Sequence, residues 1–451
     1  MELLNPIDAL FLTAESREHP MHVGSLQIFE RPAEQGEDFV RSLYAELMSA
    51  TPVHPRFRRR QRRILGSFSS VVWAHGEIDL EYHLRRSALP QPGSTAELLD
   101  LVEHLHGALL DRHRPLWEGR IIEGMAQDRL AIYVKMHHAL IDGVSAQRLL
   151  QRSLTDDPYA TRVRAPWTVS RTEPEPGPDV PESLWQQVRH ALPRLATEVG
   201  GVRSAVRALA EGKLALPLSA PPTMFNVPIG GARSIAVGSW PMERIHAVRR
   251  ATGATVNDVV LTLSATALRE YLLKRNALPD KPLTAMVPVN LRRTDDAEPE
   301  GNLVAALLCD LGTDIADPAQ RLAAISTSMR EAKRVFTELP RLQALALSAL
   351  LMSPLGLTFL PGFQALPRVP FNLVISNVPG PRKPVYLQGA RLEHNYPLSI
   401  PFDGQAMNIT VTSTADSFDV GIVGCRRSVP ELPALVDHLD TALAELEHAT
   451  C

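Results

Sequence analysis

Apolar and polar positions alternate along the chain in two blocks that are separated by a proline-rich stretch. In the first block, short apolar runs have the two-residue period of strands, and longer stretches have the period of helices. There we predict strands at 25–29, 67–74, 117–122 and 130–136 and helices at 38–48, 96–110 and 144–151.

The second block restarts the same mixture of short strands and amphipathic helices. We predict strands at 234–240, 283–289, 303–311, 371–376, 407–413 and 418–424 and helices at 241–251, 256–274, 318–336 and 430–447. The pattern therefore predicts a mixed α/β chain built from two α+β halves.

The stretch between the blocks has the composition of a linker. Residues 156–181 contain six prolines and many charges, and a second proline-rich stretch covers 216–228. A helix is predicted between them, at 183–210. At 451 residues the chain is long enough for more than one domain. We predict a first domain at 1–155, a linker with a bridging helix at 156–228, and a second domain at 229–451.

One segment, 342–367, contains no charged side chain and is long enough to span a bilayer. Two prolines and two glycines, at 354, 356, 361 and 362, interrupt it, so it fits two short helices better than one spanning helix. Buried core or the lining of an apolar cavity is favoured over interfacial membrane contact, and both over a true span.

Composition narrows the functional classes. The 47 basic and 50 acidic residues nearly balance, so the chain has no global basic field and we expect no nucleic-acid partner. Three cysteines without paired spacing predict neither a disulfide scaffold nor a thiolate zinc site. The first six residues lack the basic and apolar regions of a secretory signal, so we expect a cytoplasmic protein.

The strongest chemical signal follows the strand at 130–136. It reads His137-His138-Ala139-Leu140-Ile141-Asp142-Gly143, and a predicted helix comes next. Neighbouring side chains on a strand point to opposite faces, so His137 and His138 cannot both enter one site. A free imidazole suits abstraction of a proton from a hydroxyl or amine at neutral pH, and Asp142 can brace the turn. Two core histidines at a strand end are the alternative.

Other catalytic signatures are missing from the sequence. It has no G-x-S-x-G elbow, phosphate-binding loop, dinucleotide fingerprint or H-E-x-x-H. His137 and His138 also have no further metal ligands nearby in the sequence, so we expect no metal.

The HHxxxDG segment resembles the signature of the CoA-dependent acyltransferase superfamily, and further segments resemble its bacterial wax ester synthase/diacylglycerol acyltransferase family. These are Leu4-Asn5-Pro6-Ile7-Asp8 with Phe11, Pro20-Met21-His22-Val23-Gly24, Pro115-Leu116-Trp117-Glu118, Thr255-Val256-Asn257-Asp258-Val259-Val260, Val287-Pro288-Val289-Asn290-Leu291-Arg292 and Ser376-Asn377-Val378-Pro379-Gly380-Pro381. They occur in the expected order from residue 4 to 381.

The resemblance implies a chloramphenicol-acetyltransferase-like pseudo-dimer with a tunnel along the interface of two domains. His138 would lie in the tunnel as general base, and Asp142 would hold the loop through a buried ion pair, for which Arg292 is the candidate partner. Acyl-CoA would be the co-substrate, with no other cofactor, and a long-chain alcohol or a diacylglycerol the acceptor. Peripheral contact with the inner membrane face or with lipid inclusions is a further expectation.

Several residues are weaker candidates for the site. Trp117 either shapes an acyl tunnel or simply packs, and Asn257 with Asp258 is either a functional helix start or an N-terminal cap. An oxyanion donor could come from Asn257 or from the Ser376–Asn377 stretch. The full predicted set comprises catalytic His138, Asp142 and His137, and substrate-binding Gly143, Pro115, Leu116, Trp117, Asn257, Asp258, Asn290, Arg292, Ser376 and Asn377.

Six arginines lie within eight positions, at 56, 58, 59, 60, 62 and 63. They could attract anionic lipid headgroups or the phosphates of CoA, or they could form a solvated strand edge that resists aggregation.

Two other functions also share the central motif: a condensation-type, amide-forming enzyme, and a non-catalytic lipid-inclusion or membrane-associated protein.

Overall fold

A computed structural model describes residues 2–3, 6–32, 36, 38–63, 71–168, 219–290, 304–339, 344, 347–348 and 370–450. Helices within these residues are α1 (Pro6–Ala14), α2 (Phe39–Ser49), α3 (Leu80–His83), α4 (Thr95–Gly107), α5 (Gly143–Arg152), α6 (Met242–Thr252), α7 (Val256–Leu273), α8 (Pro318–Glu338) and α9 (Ala434–Thr450). The strands are β1 (Glu2–Leu3), β2 (His22–Glu30), β3 (Arg59–Arg63), β4 (Val71–His75), β5 (Leu84–Ala88), β6 (Trp117–Met125), β7 (Arg129–His137), β8 (Arg233–Pro241), β9 (Thr284–Asn290), β10 (Val304–Asp310), β11 (Leu373–Asn377), β12 (Tyr386–Leu387), β13 (Ala390–Leu398), β14 (Met407–Ser413) and β15 (Ser417–Cys425).

The first lobe is built on a six-stranded sheet with the order β12-β13-β2-β7-β6-β5. Its central strands pair antiparallel, and β5 runs parallel to β6. Two of the six strands, β12 and β13, come from late in the chain. The predicted second domain, 229–451, is therefore not self-contained, because its residues 386–398 complete the sheet of the first lobe.

The second lobe has its own six-stranded sheet with the order β10-β9-β11-β14-β15-β8. Its strand β11 lies parallel to both neighbours, β9 and β14. The helices α7, α8 and α9 pack into one apolar core with this sheet. A small third sheet, with the order β1-β4-β3, lies beside the first lobe. The predicted α/β class is confirmed.

Most predicted elements lie within a few residues of the observed ones, but α1, α3, β1, β5, β12 and β13 were not predicted, and β3 was only an alternative for the arginine-rich segment. In β5, the two arginines of Leu84–Ala88 are exposed, so its sequence lacks an apolar pattern. β13 contains Pro397, a residue that is unusual inside a strand. The neighbouring β12 pairs only with Ala390 and Arg391, so Pro397 has no strand partner on that side and its missing N–H leaves no ladder bond unmade.

A buried polar network joins the two lobes. Asn395 of β13 accepts a hydrogen bond from the Ser25 hydroxyl (2.8 Å) and donates one to Oε1 of Gln147 (2.9 Å). Its backbone N–H donates to the fully buried Asp419 of the second lobe (2.8 Å). Because Gln147 belongs to α5, this network fixes the helix that follows the HHxxxDG loop against both sheets.

The predicted helix at 183–210 lies outside the described residues, as does most of 342–367. Of the latter, Ala344 is described and buried. Within the described part of the chain, no helix is long and apolar enough to cross a membrane.

Candidate active site

The HHxxxDG loop connects the central strand β7 to α5. The backbone N–H of His137 donates to Leu116 O (2.9 Å), and that of His138 donates to Met21 O (2.8 Å). The chain then turns, because the N–H of Leu140 donates back to His137 O (2.8 Å). The loop is thus held from both neighbouring strands.

The two histidines have different surroundings. The ring of His137 is fully buried, and its Nε2 lies 3.3 Å from Oε1 of the buried Glu15. His138 is a partly exposed residue, and its ring stacks on Phe11, with 4.0 Å between centroids and 26° between planes. His138 is therefore the more accessible of the two residues, and its ring lies against Phe11.

Burial lowers the pKa of His138 to about 4, although the charge of Asp142 and a hydrogen bond to the backbone of His138 itself favour the protonated form. The imidazole is consequently neutral at pH 7. A neutral imidazole has a free lone pair and can accept a proton.

Asp142 caps α5. One of its carboxylate oxygens accepts the backbone N–H of Ser145 (2.9 Å), and the other accepts the Ser145 hydroxyl (2.7 Å). The side chain is exposed, so the expectation that Asp142 is buried is wrong, because a capping carboxylate lies at the helix surface. The candidate partner Arg292 lies outside the described residues. Gly143 is the first residue of the capped helix.

Pro115, Leu116 and Trp117 are all buried beside the loop. Leu116 packs in one cluster with Ala139. Trp117 stacks against Trp167 (5.3 Å between centroids), and its indole N–H donates to Phe57 O (3.0 Å). The predicted packing role of Trp117 is thus visible, and its role in an acyl tunnel stays a prediction.

Trp117 also lines a narrow apolar cavity of about 40 Å³ inside the first lobe. Val134 and Met136 of β7 line the same cavity. Side chains two residues apart on a strand share a face, so these residues lie on the face of β7 that continues toward His138.

The segment that follows β11 comes close to α5. Val378 donates its backbone N–H to Val411 O (2.9 Å), and the side chain of Gln151 on α5 donates to Pro379 O (3.1 Å). A Cβ on Gly380 would lie 1.6 Å from Ser413 O, so only glycine fits there. The half-buried Ser376 and Asn377, at the end of β11, therefore lie at the junction of the lobes on the side of α5.

Asn257 and Asp258 lie in the first turn of α7. Asp258 forms a capping box with Thr255, because the Asp258 N–H donates to Thr255 Oγ1 (3.2 Å) and the Thr255 N–H donates to Asp258 Oδ2 (3.0 Å). This favours the capping interpretation for Asp258. The side-chain nitrogen of Asn257 is buried and makes no hydrogen bond with the residues that the structure describes. Asn290 ends β9, and its side chain is not among the described groups.

The arginine-rich segment forms a 3-10 turn and the edge strand β3. Arg58 and Arg60 are exposed, as a solvated strand edge requires. Arg56 and Arg59 lie near Asp8 of α1: burial raises the pKa of Asp8 to about 6, and the two positive charges oppose that rise. The side chains of residues 62 and 63 lie outside the described set.

Sequence reasoning missed Glu15 and gave Phe11 no role at the site. Both belong to α1 or its C-terminal end, and α1 was not among the predicted helices. Phe11 was named as part of a segment that resembles the family. The spacing of residues in that segment did not indicate a contact with the histidines. Only the fold brings α1 against the HHxxxDG loop.

Comparison with known sequences finds relatives over nearly the whole chain. The profile of the wax ester synthase/diacylglycerol acyltransferase catalytic domain matches residues 4–260, and that of the WS/DGAT C-terminal domain matches residues 300–447. A probable diacylglycerol O-acyltransferase of Mycobacterium tuberculosis, tgs2, is 51% identical over 455 residues, which cover 100% of this chain and 99% of the relative.

Solved structures show the same fold. The wax ester synthase/diacylglycerol acyltransferase from Marinobacter aquaeolei VT8 is 38% identical and superposes with a TM-score of 0.77, covering 99% of this chain and 100% of that one. The first condensation domain of the calcium-dependent antibiotic synthetase shares the fold at 16% identity, with a TM-score of 0.62 and coverage of 100% and 96%. The chain therefore belongs to the wax ester synthase/diacylglycerol acyltransferase family and is an acyltransferase.

Proposed function

We propose that the protein transfers a fatty acyl group from acyl-CoA to the hydroxyl of a diacylglycerol, a long-chain alcohol or both, with His138 as general base. The observation that carries this proposal is the neutral imidazole of His138, which directly follows β7 and lies next to apolar surfaces. The named activity of the mycobacterial relative supports diacylglycerol as acceptor, and that of the Marinobacter enzyme supports both acceptors.

The reaction needs one proton transfer and one displacement. His138 takes the hydroxyl proton as the acceptor oxygen attacks the thioester carbonyl, which gives a tetrahedral oxyanion. The carbon–sulfur bond then breaks, and the CoA thiolate takes the proton back from His138. Atoms and charges balance without a covalent enzyme intermediate or a further cofactor.

The oxyanion needs a donor about 3 Å away. The Ser376–Asn377 stretch supports such a role because the segment that follows it contacts α5, the helix next to His138. Asn257 supports it because its side-chain nitrogen lacks a partner among the described groups. Ser376→Ala, Asn377→Ala and Asn257→Ala distinguish these sources, since only loss of the donor lowers kcat by about 10²-fold or more.

The central test is His138→Ala, with palmitoyl-CoA and either hexadecanol or a diacylglycerol, and with the products separated by chromatography. Loss of the base should lower kcat by roughly 10²-fold to 10⁴-fold. His104→Ala, which removes an exposed imidazole of α4, is the matched control and should keep wild-type activity. Ester formation within about tenfold of wild type by the His138 variant would contradict the base role.

The alternatives have separate readouts in the same assay. An amine acceptor in place of the alcohol tests for condensation-type amide formation. Absence of free CoA release with every acceptor would indicate a non-catalytic lipid-associated protein.

Peripheral association with a membrane or lipid inclusion is also part of the proposal, with Arg58 and Arg60 as exposed cations on the edge strand. Each is worth roughly 1 kcal/mol near an anionic surface. Co-sedimentation with phosphatidylserine vesicles should weaken when both are changed to Gln, and unchanged binding would favour the solvated-edge interpretation.

A further inference from the structure

A buried carboxylate lies directly behind the HHxxxDG loop. The side chain of Glu15, at the end of α1, has no exposed surface. Its Oε1 lies 3.3 Å from Nε2 of His137, and its Oε2 lies 2.8 Å from the Arg112 guanidinium. Arg112 also donates to Leu12 O (2.8 Å), so the arginine ties the carboxylate to its own helix.

These contacts keep the carboxylate charged. Burial raises the pKa of Glu15, but the contact with His137 and the positive charge of Arg112 lower it by more, so the pKa lies below its usual value. A fully buried carboxylate is retained at a cost unless it is paired and hydrogen-bonded. The contacts of Glu15 with Arg112 and His137 therefore offset the cost of burying its charge in the first lobe.

The geometry fixes the tautomer of His137. The backbone N–H of Ala139 donates to Nδ1 of His137 (3.0 Å), so this nitrogen carries a lone pair and the ring proton sits on Nε2. Nε2 faces Oε1 of Glu15 at 3.3 Å but has no aligned hydrogen bond to any group that the structure describes. The negative charge of the carboxylate attracts this proton across that distance.

The His137 ring in turn holds the backbone directly after His138, and Met21 holds the amide of His138 itself. The amide of Ala139 is bound to the His137 ring, and the amide of His138 is bound to Met21 O. Phe11 lies one helical turn before Glu15, on the same side of α1, and stacks on the His138 ring. The end of α1 therefore contacts both histidines, one through a carboxylate and the other through an aromatic ring.

We propose that Glu15 is a positioning residue for the reaction, which acts through His137 to hold the imidazole of His138 in its working orientation. This inference rests on the proposed role of His138 as general base. A displacement of about 1 Å at a reacting group can cost 10²-fold in rate, so a fixed loop has a direct effect on kcat.

The test compares Glu15→Ala and Glu15→Gln with wild type, with kcat and KM measured for both substrates. The alanine variant removes the carboxylate, and we expect kcat to fall by about 30-fold to 100-fold with each KM within about threefold. The glutamine variant keeps a side-chain oxygen near Nε2, and we expect it to recover kcat to within about tenfold of wild type. Glu18→Ala, which removes an exposed carboxylate of the following turn, is the control and should match wild type.

A double-variant cycle separates positioning from a general loss of stability. His137→Asn keeps a side-chain oxygen that can accept the Ala139 N–H but is too short to reach Glu15. If Glu15 acts through His137, adding Glu15→Ala to His137→Asn should change kcat by less than about threefold. Independent losses that multiply in the double variant would overturn the proposal.

The outcomes also separate this inference from the proposed function. If His138→Ala is inactive while folded Glu15→Ala keeps wild-type kcat, the positioning role is wrong and the base role stands. If His138→Ala is active, the base role fails whatever Glu15 does.

Discussion

The pH dependence of the reaction tests the environment that the fold gives His138. Burial lowers the pKa of this imidazole to about 4, whereas an unperturbed histidine titrates near 6.5. At pH 5.5 an unperturbed imidazole is only about one-tenth neutral, but one with a pKa of about 4 is almost wholly neutral. The two cases therefore differ by about tenfold in rate at this pH, with activity lost only as the pH falls through the lower value.

The measurement is kcat/KM for the acceptor at saturating acyl-CoA, because phosphate groups titrate near pH 6 and would otherwise add their own ionisation. Quenched reactions analysed by chromatography avoid thiol reagents that fail in acid. A sample returned to pH 7 after acid exposure should regain full rate, which excludes unfolding as the cause of any loss.

A variant sharpens the assignment. Asp142→Asn removes the charge that favours protonation of His138 but keeps an amide oxygen for the helix cap. The acidic limb of the curve of kcat/KM against pH should therefore move to still lower pH. If the wild-type rate instead falls between pH 6 and 7, a buried His138 is not the base, since the base would then be either solvated or a different group.

Three further predictions concern stability and the loop after β11. Asp142→Ala should destabilise the protein by about 1 kcal/mol in urea titrations, with Asp142→Asn near neutral, whereas a loss of roughly 3–5 kcal/mol would indicate a buried ion pair after all. Gly380→Ala should lower the melting temperature and kcat, because its Cβ would clash with Ser413 O; Gly230→Ala, which meets open space, is the control, and equal behaviour of the two would contradict the packing argument. Burial lowers the pKa of His22, His106 and His138, so the unfolded chain binds more protons below about pH 6.5 and stability should fall by up to about 1.4 kcal/mol per pH unit for each histidine. Urea titrations at pH 7 and pH 5 measure this loss, and equal stability at both would contradict it.

Local features of the site could be predicted because their causes lie within a few residues. The strand before His137 has a continuous apolar core, and Asp142 and Thr255 stand where helix caps are favoured, so β7, α5 and α7 follow from the sequence. The alternation of side chains along a strand likewise predicted different surroundings for the two histidines. The burial of Asp142 was predicted wrongly. An aspartate at the start of a helix is equally compatible with an exposed cap and with a buried ion pair, and the sequence does not distinguish the two.

Contacts between distant segments depend on the tertiary structure. Periodicity, caps and motif order are local properties, so the sequence was sufficient to predict two α/β blocks and a loop with one usable imidazole. Only the fold brings β13 beside β2 in the sheet of the first lobe, and only the fold places Glu15 behind His137 and Phe11 over His138. Such contacts join residues that are far apart in the chain, and their free energy comes from burial and charge pairing in a shared core, which leaves no periodic signature in the sequence.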